Sequence, residues 1–331
     1  DSKIAIANTS KFIDDLIAYN NPEISTKALI QLSNLYFDSR QYDKVYDIGL
    51  KALDYAKKMQ PIDEVIISQI EYNLGTASLN LGQITQGKLH LYRSKEILET
   101  DKHKNELQQL YNTYNSIGRV HGSLVKIDSS TYYYKKAISI LDKMDYTEIN
   151  RDYWRAIVNN NISLNFQNTG QTNEAIVYIT ESINDFQKFI KVAKDESKKL
   201  RAKRFRLSTI DNLGTFYDGI GEFNRAIDLM SYSLNQKLGF LQEDDPNVVF
   251  SLVILGHTSL NAKEYDKASK YIDKALSYIR KNPSNYSFLH SFTLTLRASI
   301  YEAQNNFEGA KKLYEESEAM YLSSSDGTIS S

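Results

Sequence analysis

The chain has 331 residues, 41% hydrophobic and 24% charged, which is the balance of a soluble globular protein able to bury a large core rather than of a disordered or membrane one. Lys plus Arg number 40 and Asp plus Glu 41, so no overall field favours nucleic acid or anionic lipid, and charge-driven binding must be local. The absence of cysteine excludes disulfides, thiol nucleophiles and Cys-ligated zinc but fixes no compartment. The longest apolar run, Val248 to Gly256, is broken by Ser251 and is far short of the roughly 20 residues of a membrane span. No charged-then-apolar leader precedes Ile4, so a targeting signal is expected to have been cleaved or never included, and the chain reads as a fragment of a longer gene product.

In chain order, residues 3 to 19, with Ile4, Ile13, Leu16 and Ile17, predict a first helix, which makes 1–25 a capping helix or a partial repeat. From about residue 26 to 322 the chain repeats itself. Small residues recur at Ser33, Gly75, Gly118, Ser163, Gly214, Gly256 and Ala298, spaced 42, 43, 45, 51, 42 and 42 apart. Twelve residues after each comes a second column, Val45, Gly87, Ser130, Ala175, Ala226, Ala268 and Ala310. Seven further on comes a third, Ala52, Ser94, Ala137, Ser182, Ser233, Ala275 and Ser317. Small residues at fixed spacing predict helices that approach closely, and one pair cannot bury its own apolar face, so successive pairs must stack. Pro22, Pro61, Pro246 and Pro283 all fall between repeats. The tail 323–331, SSSDGTISS, is polar and is expected to be disordered.

These columns carry the resemblance. Leu74-Gly75, Leu213-Gly214-Thr215-Phe216-Tyr217 and Leu255-Gly256, with Tyr36 or Tyr301 at the aromatic site and turns such as GEFNRA (221–226) and KEYDKA (263–268), resemble the tetratricopeptide repeat family. The resemblance implies an all-α, right-handed α-solenoid of about seven helix–turn–helix repeats, or about fourteen helices. It departs from the family in its period of about 42 rather than about 34 residues, and in placing Leu29, Leu252 and Leu294 where an early aromatic residue is usual. The second helices are expected to start at Asp43, Asp128, Asn173, Asn224 and Asp266, acting as N-caps.

Catalysis, metal and cofactor are not expected. The five histidines, His90, His103, His121, His257 and His290, lack zinc-helix spacing, and the glycines of GTFYDGIG fall in repeat columns with no Lys-Ser/Thr after them. Glu315-Glu316 and Asp244-Asp245 are sequence neighbours and read as solvated surface. The segment 185–207 accounts for the 51-residue spacing and carries nine Lys or Arg against three acids. It reads as a long solvated hairpin, with a basic knob for an acidic partner as the alternative.

In the family the first helix of each pair lines the concave face, and the positions flanking the Leu-Gly pair point into it. Carried over, the resemblance implies a ligand-facing set of Asn73, Thr76, Asn80, Asn115, Arg119, Asn160, Asn161, Asp211, Asn212, Thr215, Asp218 and His257. Asparagine offers a donor and an acceptor on one short arm, suited to the backbone of an extended peptide, and Arg119 could clasp a carboxylate. Ile30, where a carboxylate clamp would need Lys, disfavours a chaperone-tail receptor. The partner is therefore expected to be a protein or peptide, with no nucleic acid bound and no membrane crossed. The long repeats also resemble sensor regions of bacterial two-component kinases and transcription regulators, which implies an output domain outside this chain and an extracytoplasmic site ahead of a cytoplasmic one. A cytoplasmic receptor for a peptide pheromone, and an assembly scaffold using the convex face, are the alternatives.

Overall fold

The chain reverses direction by one backbone device used seven times. Seven residues after each small residue of the first column stands a residue in the left-handed region: Arg40 (φ 58°), Gly82 (77°), Val125 (56°), Gly170 (75°), Gly221 (82°), Lys263 (61°) and Asn305 (63°). The next amide reaches back five residues, as from Gln83 to the Ser78 carbonyl at 2.8 Å and from Glu222 to the Tyr217 carbonyl at 2.9 Å. This is a Schellman closure, which satisfies carbonyls left open at the end of one helix and lets the next start almost at once. Three of the seven turns supply glycine, which has no Cβ to strain there.

The structure is a computed structural model that describes residues 21–103, 105–144 and 151–326. Among these it contains fourteen α-helices in seven hairpins: α1 Pro22–Asp38 with α2 Tyr42–Ala56, α3 Glu64–Asn80 with α4 Ile84–Leu98, α5 Leu107–Ser123 with α6 Ile127–Leu141, α7 Arg151–Asn168 with α8 Thr172–Val192, α9 Glu196–Gly219 with α10 Phe223–Leu238, α11 Pro246–Asn261 with α12 Tyr265–Lys281, and α13 Ser287–Ala303 with α14 Phe307–Asp326. The helix expected over 3 to 19, and residues 327–331 of the tail, lie outside the described residues. The first described helix starts at Pro22, four residues ahead of the expected repeat boundary, and α14 continues to Asp326, past the expected start of the tail.

Two compact units meet at Asn165 and Phe166, within α7. In the first, α2 packs on α3 and α4 on α5, a second helix against the following first helix each time, and α3 also touches α5. In the second, α9 touches α11 and α11 touches α13, so first helices lie side by side there too. All residues of the three small columns are buried.

The glycines show why. A Cβ on Gly75 would sit 2.7 Å from Leu91 Cγ, on Gly118 2.5 Å from Tyr134 Cε1, on Gly214 2.7 Å from Met230 Cγ and on Gly256 2.5 Å from Ile272 Cδ1. Each of these partners stands sixteen residues after its glycine, so the repeat carries a large residue cut to the space the glycine leaves. Burying one such side chain contributes about 1.5–3 kcal/mol. The second unit adds a continuous cluster in which Leu252, Val253 and Leu255 of α11 meet Ile272, Leu276 and Ile279 of α12 and Leu294 of α13.

The capping expectation is corrected. The second helices begin one residue before Asp43, Asp128, Asn173, Asn224 and Asp266, and their N-caps are Gln41, Lys126, Gln171, Glu222 and Glu264, none of which makes a side-chain cap bond. The residue that follows the Schellman closure is the N-cap at these five helices, and it is a Gln, Lys or Glu rather than a short capping side chain. Asp43, Asp128 and Asp266 instead place negative charge in the first turn, where the helix dipole favours it. Side-chain capping is found on the first helices at Asn21, Asp63, Asp195 and Asp245, where loops are longer, and on one second helix, α14, where Asn306 accepts from the Gly309 amide at 3.1 Å.

Candidate functional site

Within the first unit, the expected ligand-facing residues do stand along first helices, but their side chains divide into spent and open. Thr76 is buried and donates its hydroxyl to the Asn73 carbonyl at 3.0 Å. Asn80 donates to the Thr76 carbonyl one turn back at 2.7 Å. Such local bonds use up polar groups without any ligand. Asn161 of α7 donates to Asn115 Oδ1 of α5 at 3.3 Å, a rung joining two neighbouring first helices that leaves each amide with further donor or acceptor capacity. Asn73 and Asn160 are half-buried on α3 and α7. Arg119, one turn after Asn115, is exposed and its guanidinium has no ion-pair partner among the described residues. Burial pushes the phenols of Tyr72 and Tyr134 up, and the charge of Arg119 beside them opposes part of that rise.

In the second unit the outcome differs. Asp211, expected to face a ligand, is fully buried, and its Oδ2 accepts from Lys237 Nζ at 2.5 Å and from Ser251 Oγ at 2.8 Å. Lys237, equally buried, also donates to Ser251 Oγ at 2.8 Å. One carboxylate and one ammonium thus tie α9, α10 and α11 together, which removes Asp211 from the set: it is a structural ion. Thr215 donates back to the Asn212 carbonyl at 2.7 Å, with Asn212 half-buried beside it. Asp218 accepts from Asn261 Nδ2 at 3.1 and 3.0 Å, and His257 Nδ1 lies 3.5 Å from its Oδ2. Beyond His257 lies the exposed Phe292 of α13, ring centroids 6.1 Å apart. This row of Asp218, Asn261, His257 and Phe292 crosses three consecutive first helices.

Two polar clusters escaped the sequence reading. Lys237 is one; it stands four residues after the third-column Ser233, where other repeats carry Ala56, Leu98, Leu141, Phe186 and Ile279, and a lysine in an apolar column is the signal that could have found it. The other is His90, whose Nδ1 meets Glu71 Oε2 at 2.6 Å while Nε2 faces Gln86 at 3.0 Å and the Tyr46 hydroxyl at 3.4 Å. Glu71 and His90 are both buried, and the set links α2, α3 and α4. Among the described residues no group of three His, Cys, Asp or Glu side chains could hold a metal ion, and no helix is long and apolar enough to cross a membrane.

A family model described as tetratricopeptide repeat matches residues 251–282, which are the end of α11 and all of α12. Residues 251–282 thus match a tetratricopeptide repeat, and the fold of the chain is like that of tetratricopeptide-repeat proteins. The apo form of RapI is similar over 90% of this chain and 97% of its own, with TM-score 0.66 and 11% identity. The Rap conjugation gene regulator of plasmid pLS20, solved in complex with the Phr* peptide, is similar over 92% and 76%, with TM-score 0.61 and 13% identity. A signal transduction ATPase from Pyrococcus horikoshii with a tetratricopeptide repeat sensor is similar over 99% of this chain, TM-score 0.66 and 12% identity, and this chain spans about half (49%) of it. No curated protein matches the sequence. At these identities the likeness is one of fold.

Proposed function

We propose that this tetratricopeptide-repeat chain is a non-catalytic receptor for an extended peptide or protein segment that carries a carboxylate, bound along the first-helix face of the first unit. The observation that carries this reading is Arg119: an exposed guanidinium with no acidic partner among the described residues, one turn from the Asn115–Asn161 rung. The rung and the half-buried Asn73 and Asn160 supply paired donors and acceptors that can bond peptide N–H and C=O groups without reading side chains, while the guanidinium takes a carboxylate in a bidentate fork. In the second unit, His257 and Phe292 offer an aromatic, polar patch of the same helix class. The Rap regulator solved with a peptide supports a short peptide as the occupant, and the ATPase with a repeat sensor supports a sensing role in a larger signalling protein. On that reading, binding changes how neighbouring repeats pack and so passes a signal to an output domain, in an extracytoplasmic setting.

Selection of a random peptide library on the immobilised chain tests this. Peptides bearing Asp, Glu or a free C-terminus at a fixed position are expected to enrich, and Arg119→Ala and Asn160→Ala are expected to abolish the enrichment. Equal recovery on the wild type and both variants overturns the assignment of this face.

A further inference from the structure

The segment that lengthens the fourth repeat spacing builds a second surface, separate from the first-helix face. By register, Arg204 of α9 is equivalent to Pro246, the first residue of α11, since both stand ten residues before the column glycine. Arg204 is also ion-paired to Asp245, the N-cap of α11, at 2.9 Å. The eight residues Glu196 to Lys203 therefore carry α9 about 12 Å past the start of α11, with α8 running alongside to Val192.

The charges on this extension are unequal in their fates. Lys199 is held by Glu196 at 3.1 Å and Lys188 by Asp185 at 3.1 Å. Lys191, Lys194, Lys198, Arg201 and Lys203 are exposed and have no ion-pair partner among the described residues. Lys194, Lys198 and Arg201 follow at intervals of four and three, which keeps the two helical members on one face of α9 with Lys194 leading into it. Next to Lys191, Val192 is 72% exposed, while Leu200 of α9 faces about half a turn away from Lys198. An extension that carries five cations without ion-pair partners among the described residues, with an exposed aliphatic side chain beside one of them, has the chemistry of a docking flank for an acidic partner.

We infer that this flank binds an acidic, amphipathic protein segment, whose carboxylates pair with Lys191, Lys198 and Arg201 while an aliphatic or aromatic side chain packs on Val192. The arrangement selects a protein over an anionic membrane. The apex is acidic: Asp195 caps α9 by accepting from the Ser197 and Lys198 amides, and the Glu196 side chain is exposed beside it. Anionic headgroups approaching the tip would meet those two carboxylates, whereas a segment lying along the Lys198–Arg201 face meets cations. Steering by a cluster of this kind makes binding fast and sensitive to salt.

The test uses the full chain and two probes: a fluorescently labelled amphipathic peptide with Glu pairs flanking Leu, and phosphatidylserine vesicles. The peptide is expected to bind, and more weakly at high salt. The triple variant Lys191→Glu/Lys198→Glu/Arg201→Glu should lose at least about tenfold in affinity, since three surface charge pairs together amount to roughly 1.4 kcal/mol or more. Lys198→Gln/Arg201→Gln should show a smaller loss. Circular dichroism of the exposed-site variants should show unchanged helix content and melting. Wild-type affinity in the triple variant, no binding of the peptide to the wild type, or binding of vesicles in preference to the peptide would each overturn the inference.

Discussion

Asn115 and Asp211 stand at the same place in their repeats, three residues before the column glycine, yet one belongs to an open polar cluster and the other to a closed one. Around Asn115 the neighbours are Asn161 at 3.3 Å and the unpaired Arg119, all at least partly accessible. Around Asp211 they are Lys237 and Ser251, sealed among α9, α10 and α11. The difference lies in what the facing second helix supplies. A lysine in place of the usual aliphatic residue draws the first-helix carboxylate inward, because a buried ammonium without a counter-ion would be far more costly than the ordering of the pair. The same repeat position can thus serve cohesion or ligand, and only the partner on the next helix decides which.

The sharpest way to break this comparison is to unpair the closed cluster. Lys237→Met should destabilise the fold by about 3–5 kcal/mol, whereas Lys237→Met/Asp211→Leu should recover most of that loss. Urea unfolding of both variants checks it, and Arg119→Ala in the open cluster should move stability by no more than about 0.5 kcal/mol. A double variant no more stable than the single one would show that the pair is not the unit that matters.

Next in size is the frame both clusters share. Gly118→Val drives a branched side chain onto Tyr134 and should cost about 1–3 kcal/mol in the same assay. Smaller, and opposite in sign, is the turn between α5 and α6. Val125 holds φ 56° with its side chain in solvent, a β-branched residue in the left-handed region, so Val125→Gly should stabilise by about 1 kcal/mol.

The smallest effect is pH dependence at His121. Burial pushes its imidazole below the ordinary value, with Lys88 and Lys126 adding to the effect, while the Tyr92 hydroxyl bonds its Nε2 and Tyr133 stacks on the ring. A depressed folded-state value means that the unfolded chain takes up the proton first. The contribution of His121 is therefore present above about pH 6.5 and lost as pH falls through and below it. Urea midpoints at about pH 7.5 and about pH 5.5 should show a smaller difference in His121→Phe than in the wild type.

The frame was legible in the sequence because close helix packing admits few solutions. Small residues had to recur at the contact points, and Ser33, Gly75, Gly118 and their counterparts are buried in every repeat. The seven hairpins follow from those columns. The starts of the second helices were misplaced by one residue, since Asp43 and its equivalents look like caps by composition while the cap position falls on the residue that follows the Schellman closure, Gln41 in the first hairpin. Of the ligand-facing set, Thr76, Thr215 and Asn80 stand where expected but turn their polar groups into their own helices, a choice of rotamer that spacing does not carry. Asp211 was misread because its partners stand 26 and 40 residues away.

The account rests on the open cluster being a binding site. Isothermal titration of a peptide selected on the wild-type chain into the wild type and Arg119→Ala tests this most directly. Loss of a charge-assisted bidentate contact predicts a fall of at least about tenfold in affinity, with melting unchanged. Equal affinity in the two proteins would contradict the account and move the site away from the first-helix face.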